Sequence, residues 1–238
     1  MNSTATLQLY GDWTNEGSAT LPGTVAFVGS VAQTAGNTAF GQLLIDKPNG
    51  GLTLSSDIGI SQQLTLSRGL LRTAAARVVL AAAATIHESE TSYVLGEVQA
   101  ERVLDVAGRT EDFGGLGVEL TPHGSILPDY TLVLRTTGSP LTSPDGQPGI
   151  SRYFSITPLV DLGLNVDMTF RYFEHELNGL AEGSLRLLKS ETGVLGPWAT
   201  MLSTTASVLD NDIDQINNMM DETSTGRKAL LYKIAVIL

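Results

Sequence analysis

The chain has no cysteine among its 238 residues. That single absence removes disulfides, thiolate zinc sites and thiol nucleophiles together, so stability must come from packing and backbone hydrogen bonds. Basic residues are scarce as well: Lys plus Arg number 14 against 25 Asp plus Glu, a net charge of −11. Such a surface repels phosphate backbones and anionic lipid, which argues against nucleic acid as a partner. Before Arg68 the one basic residue is Lys47, and the segments around it are made of Thr, Ser, Gly, Asn and aliphatic residues. That composition favours strands and turns over surface helices. No run approaches the roughly 20 apolar residues of a membrane span; the nearest is the C-terminal ALLYKIAVIL, and no membrane insertion is expected. The opening MNSTATLQLYGDW carries neither a basic nor an apolar region and does not read as a signal peptide.

What is present is alternation. LQLYG, TVAFVG, FGQLLID, GLTLSSDIGI, QQLTLSRG and RVVLA are short apolar alternations separated by Gly, Asn, Asp and Ser, and period two between turn residues is the strand signal. Leu7, Val25, Leu43 and Leu64 follow one another at steps of 18, 18 and 21. A nearly constant step predicts a repeated rung, a β-solenoid in which each coil stacks on the next. The run TAAARVVLAAAAT (residues 73–85) is helical on alanine propensity alone. Val78, Val79 and Leu80 instead fit a buried strand, with small alanines letting neighbouring coils approach without a void.

A second part begins near Asp112, where FGGLGVELTPHG sets four glycines around a short apolar strand. YTLVLRTTG, RYFSITPL, LNVDMTFRYF, GSLRLLKSE and KALLYKIAVIL follow, with turn-rich joints that predict an antiparallel β-sandwich. SPLTSPDGQPGIS (residues 139–151) reads as a surface loop. Within LDNDIDQINNMMDET, Ile213, Ile216 and Met220 stand at steps of 3 and 4 behind Asp and Asn caps, which predicts one short amphipathic helix. The expected organisation is therefore all-β: a parallel β-helix or β-solenoid over residues 1–111, then an antiparallel β-sandwich with one short helix over residues 112–238.

GDWTNEG (residues 11–17) and the following VAFVGSVAQTAGNTAFGQLLIDKPNGGLTLSSDIGISQQLTLSRG resemble repeat-bearing surface proteins secreted by Bacteroidota through the type IX pathway. In those proteins a Gly-Asp-Trp-x-Asn-x-Gly turn precedes a Val-x-Phe-x-Gly strand, then a glutamine at the place of Gln33, then alternating Leu strands. VLRTTG, RYFSITP, an Asn-bearing strand, ELNGL and Trp198 after a glycine turn are similar to a further module of the same proteins. The resemblance implies an extracellular or cell-surface β-rich building block, adhesin-like and without catalytic signature. Neither the signal peptide nor the sorting domain of such proteins is recognisable, so the expectation is a piece of a longer chain.

Several residue groups could carry chemistry. FRYFEHELNG places His175 between Glu174 and Glu176 at the exit of a strand and just before the turn pair Asn178-Gly179. Neighbours leaving a strand diverge, so the two glutamates share a side while His175 points away, and a solvated turn is expected over a metal or acid/base site. Asp210, Asp212 and Asp214 alternate as in a calcium loop, but that loop needs Gly at its sixth position and Glu at its twelfth, where this chain has Gln215 and Asp221. Glu88, Glu90, Glu97 and Glu101 could line a groove as acids do in polysaccharide-cleaving β-helices, although an acidic strand face suits any chain this negative. Trp13 and Trp198 beside glycine turns are candidates for stacking on sugars, or for covering the end of a core. His87 and His123 have no GxSxG-type nucleophile context, and FGGLG lacks the strand-to-helix setting of a nucleotide site.

The expectation is a non-catalytic structural or adhesive module that needs no cofactor. Its partners would be itself or neighbouring modules, joined by coil stacking or by donation of the C-terminal strand, with surface glycans as further candidates. The alternative is an extracellular carbohydrate-binding or polysaccharide-processing module.

Overall fold

The computed structural model describes residues 5–143 and 146–190, together with the backbone of strands at 199–200, 212–215 and 232–237. The chain is all-β, with a stacked-coil β-solenoid arrangement of about 5 turns. It divides into two compact units, Met1–Ala100 and Glu101–Leu238; the boundary expected from composition lay between 111 and 112.

The first unit holds β1 (Thr6–Leu9), β2 (Ala19–Val28), β3 (Gln33–Ala35), β4 (Thr38–Asp46), β5 (Leu52–Leu54), β6 (Ile58–Arg68), β7 (Leu71–Leu80), β8 (Thr85–His87) and the start of β9 (Val94–Leu104). Its named strand pairs are parallel. The step read from the sequence is the backbone register itself: Leu7 pairs with Val25, Val25 with Leu43, Leu43 with Leu64 and Leu64 with Ile86. A second column runs Thr38, Ile58, Val78, Val98, and a third Gln33, Leu52, Leu71, Val94. Each coil thus presents three short ladders inward, and apart from Leu7 every member of the three columns is buried. Burying a Val, Leu or Ile side chain contributes about 1.5–3 kcal/mol, so repetition of the column turns one coil's weak core into a continuous one.

Corners between ladders are where the register shifts, at Leu21/Thr24 in β2 and Phe40/Gln42 in β4. Gly41 sits at such a corner: a Cβ there would lie 2.2 Å from the Pro22 carbonyl oxygen, so only hydrogen allows the coils to stack this closely. The alanine-rich run forms the strand expected of it, with β7 ending at Leu80 and Leu80 pairing with Ala100 in the next coil. Tertiary pairing outweighs alanine's helix propensity there because each residue gains ladder bonds and a buried face.

The second unit contains β10 (Val118–His123), β11 (Asp129–Thr137), β12 (Arg152–Pro158), β13 (Asn165–Arg171), β14 (Arg186–Ser190), β15 (Ala199–Thr200), β16 (Asp212–Gln215) and β17 (Tyr232–Ile237). Pairing is antiparallel in two groups, β11–β12–β17–β14–β15 and β10–β13–β16. Phe154 of β12 and Phe170 of β13 meet edge-on with ring centroids 5.1 Å apart, both fully buried, a preferred aromatic geometry.

One expectation needs correction. The helix predicted around Ile213 is overturned where the chain is described: residues 212–215 are β16, paired with Arg171 through Met168 of β13. The partner strand offers backbone bonds that a four-residue helical turn would have to make alone; Ile216 and Met220 lie outside the described residues. The apolar C-terminal strand, β17, lies between β12 and β14 and pairs with both.

Candidate functional site

FRYFEHELNG is a structural pin. The segment after β13 turns through a short 3₁₀ helix, Glu174–Glu176, which swings the Glu176 carboxylate inward instead of leaving it solvated. Glu176 is fully buried; its Oε1 accepts from Arg152 Nε at 3.0 Å and lies 2.9 Å from Arg152 Nη2 as an ion pair. Its Oε2 accepts from the Phe173 backbone N–H at 2.8 Å. Arg152 also donates from Nη1 to the Arg171 carbonyl at 3.0 Å and lies 5.0 Å from the centre of the Phe173 ring. The expectation of a solvated turn fails for Glu176, because Arg152 on β12 provides a buried partner that no local pattern reveals. His175 is exposed and stacks on Phe173 at 5.5 Å, so the stretch does not gather its three ionisable side chains into one site.

The acids around β9 are likewise separated. Glu97 and Glu101 alternate with buried Val98 and Ala100, the shared outward side that alternation predicts. Glu97 pairs with Arg77 at 3.4 Å, whereas Glu88 accepts the Val94 N–H at 2.7 Å and closes the loop into β9. Glu90 is exposed in the bridge-closed turn between Ser89 and Ser92.

Trp13 belongs to the first coil. Its backbone N–H donates to the Thr34 carbonyl at 2.8 Å and its indole N–H to Thr38 Oγ1 at 2.9 Å, which fixes the ring against the coil below. Trp198 and Asp210 lie outside the described residues. Asp212 and Asp214 occupy alternate positions of β16, opposite Arg171 and Thr169. His87 ends β8 on an exposed position. His123 of β10 bonds Asp167 Oδ2 through Nε2 at 2.9 Å, both groups partly exposed. Among the described residues, no group of three or more His, Asp or Glu could hold a metal ion, and no helix is long and apolar enough to cross a membrane.

Sequence reasoning missed the polar knot inside the end of the first unit. Gln33 heads the third column; it donates through Nε2 to the carbonyls of Leu9, at 3.1 Å, and Gly11, so it ties coil one to coil two. Its Oε1 accepts from the Lys47 ammonium, which also donates to the Val28 carbonyl at 3.3 Å. Lys47 is fully buried, and burial holds its ammonium below the ordinary lysine pKa. The signal available in the sequence was the isolation of Lys47 as the one cation before Arg68. The neighbouring Asp46 meets Arg68 on the surface, at 2.5 and 2.9 Å, and that hydrogen bonding draws its carboxyl below the usual aspartate range.

Compared with protein-family models, curated proteins and solved structures, the chain matches none.

Proposed function

We propose that this chain is a non-catalytic structural module of a secreted bacterial surface protein, of the repeat-bearing kind its sequence resembles, and that it associates with copies of itself. The observation that carries this reading is the set of three inward columns: Val25 to Ile86, Thr38 to Val98 and Gln33 to Val94 are held by continuous parallel ladders. Ladder-bonded coils resist deformation because strand residues of a coil are backbone-bonded to the neighbouring coils. The second unit reads as an antiparallel sandwich, supported by the Phe154–Phe170 contact between its two strand groups. Residues that an enzyme would need free have structural tasks instead: Glu176 holds Arg152, and Glu97 holds Arg77.

Electron microscopy of the purified chain over rising concentration tests the reading, with end-on assemblies as the expected result and isolated particles at every concentration as the contrary one. A glycan array run in parallel addresses the carbohydrate alternative. Binding that disappears in Trp13→Ala would replace the structural reading by the glycan-binding one.

A further inference from the structure

Asn-Gly occurs twice in the chain, at Asn49-Gly50 and at Asn178-Gly179. Glycine has no side chain to shield its amide nitrogen, so in this pair that nitrogen readily attacks the preceding carboxamide. Whether it does so depends on what holds the two groups in place, and the fold treats the two pairs differently.

Asn178-Gly179 is restrained. Asn178 Nδ2 donates to the Gly149 carbonyl at 3.2 Å, which holds the carboxamide. The turn around it is closed by the Leu180 N–H donating to the Leu177 carbonyl at 2.9 Å. Attack at this pair has to break or bend these bonds first.

Asn49-Gly50 carries no such restraint. Residues 48–50 are exposed at the corner joining β4 to β5. The chain is anchored on either side, by the Lys47 N–H to the Arg68 carbonyl at 2.9 Å and by the Gln33 N–H to the Gly51 carbonyl at 3.2 Å. Between these anchors neither the Asn49 side chain nor the Gly50 N–H has a hydrogen-bond partner among the described residues. Arg72, exposed and in no ion pair among the described residues, reaches over the same corner: its Nη1 lies 2.8 Å from where a Cβ on Gly51 would stand. A cation there favours both the anionic amide nitrogen through which attack proceeds and the carboxylate that results.

From this contrast we infer that Asn49 is a site of spontaneous deamidation in the folded chain. The Gly50 nitrogen gives up its proton and bonds to Asn49 Cγ. The Cγ–Nδ2 bond breaks, and Nδ2 leaves as ammonia with a proton returned to it. The product is a succinimide, which one water molecule opens at either carbonyl to give aspartate or isoaspartate; nothing is oxidised or reduced. Aspartate keeps the original backbone, whereas isoaspartate adds one CH2 to it. Gly50 packs tightly on the coil below, where an added Cβ would lie 2.4 Å from the Ala32 nitrogen. The longer backbone therefore displaces the corner and loosens the Gln33–Gly51 bond at the head of the third column. This inference goes beyond the structural reading above and does not depend on it.

Peptide mapping by mass spectrometry tests it, on the intact folded chain and on protease-digested chain, both aged in mildly alkaline buffer. Conversion is read as the exchange of NH2 for OH, and isoaspartyl methyltransferase labelling separates the two products. In the digest, where the fold no longer acts, both pairs are expected to convert at similar rates. In the folded chain Asn49 is expected to outpace Asn178 by about tenfold, the rate factor that roughly 1.4 kcal/mol of restraint supplies. Asn49→Gln is expected to remove conversion at residue 49 and leave Asn178 unchanged, with circular dichroism matching wild type. Arg72→Gln is expected to slow conversion at Asn49. Folded chain that converts at Asn178 as fast as at Asn49, or that leaves Asn49 intact, overturns the assignment. Isoaspartate-bearing chain whose Gln33 N–H exchanges no faster than in wild type overturns the displaced corner.

Discussion

Arg152 and Glu176, 24 residues apart and both buried, form one ion pair in which Oε1 accepts the Nε–H at 3.0 Å and lies 2.9 Å from Nη2. Taking two charges out of water is costly, and the hydrogen bonds from the Phe173 N–H to Glu176 Oε2 and from Arg152 Nη1 to the Arg171 carbonyl offset part of that cost. Glu176→Ala or Arg152→Ala alone leaves the other charge buried and unmatched, and each is expected to cost about 3–5 kcal/mol. The double variant Arg152→Met/Glu176→Leu is expected to lose much less than the sum of the two single changes. His175→Ala, at an exposed ring, is expected to be neutral within about 0.5 kcal/mol. Urea denaturation of wild type and the four variants checks this, and additive losses in the double variant would remove the coupling.

Gly41 is the second test. Its missing Cβ leaves room for the Pro22 carbonyl of the preceding coil, so Gly41→Ala forces backbone apart at a corner shared by β2 and β4. An overpacking cost of about 1–3 kcal/mol is expected, seen as a lower melting temperature. Gly59→Ala provides the control, because an added Cβ there meets its nearest neighbour at an ordinary 3.6 Å. Equal melting of the two variants would contradict the close stacking.

Lys47 makes stability depend on pH. Burial lowers its pKa in the folded state from the ordinary 10.5, so between the lowered value and the ordinary one the unfolded chain binds more protons. Stability contributed by this group therefore rises with pH across that window, and below the lowered value the burial penalty is fully present. The stability of wild type minus that of Lys47→Met is expected to grow as pH rises through the window between the lowered value and the ordinary lysine pKa of about 10.4. A difference that stays flat in denaturation curves over that range would show that the ammonium is not desolvated.

Trp13 gives a local test of the end coil. Trp13→Phe keeps an aromatic ring, though a smaller one, and deletes the N–H that Thr38 Oγ1 accepts at 2.9 Å. Thr38 is buried and still donates to the Gly36 carbonyl, so one acceptor valence is lost, at about 1 kcal/mol. Hydrogen exchange at the Trp13 N–H, bonded to the Thr34 carbonyl, is expected to accelerate in the variant. Unchanged exchange would mean the indole does not hold the coil end.

Much of the first unit was legible in the residues because a solenoid writes its long-range register into a local period. Leu7, Val25, Leu43 and Leu64 are both the sequence rhythm and the paired column, since each strand's partner is the next similar strand along the chain. The same logic made β7 readable through its alanines: β-branched residues at alternating depth outweighed propensity. The Gln33–Lys47 knot escaped this reading, because an interior polar pair has no period.

In the second unit the partners are remote, and there the residues alone decided less. The sequence by itself determined an all-β chain, the coil repeat and the strand at 165–171, because alternation and turn residues act over a few neighbours. Only the tertiary structure decided that residues 212–215 extend alongside β13 and that Glu176 lies in the interior with Arg152. Spacing along the chain can propose a helix or a solvated turn. A ladder bond or a buried counter-charge is supplied from many residues away, and that nonlocal free energy fixes the outcome.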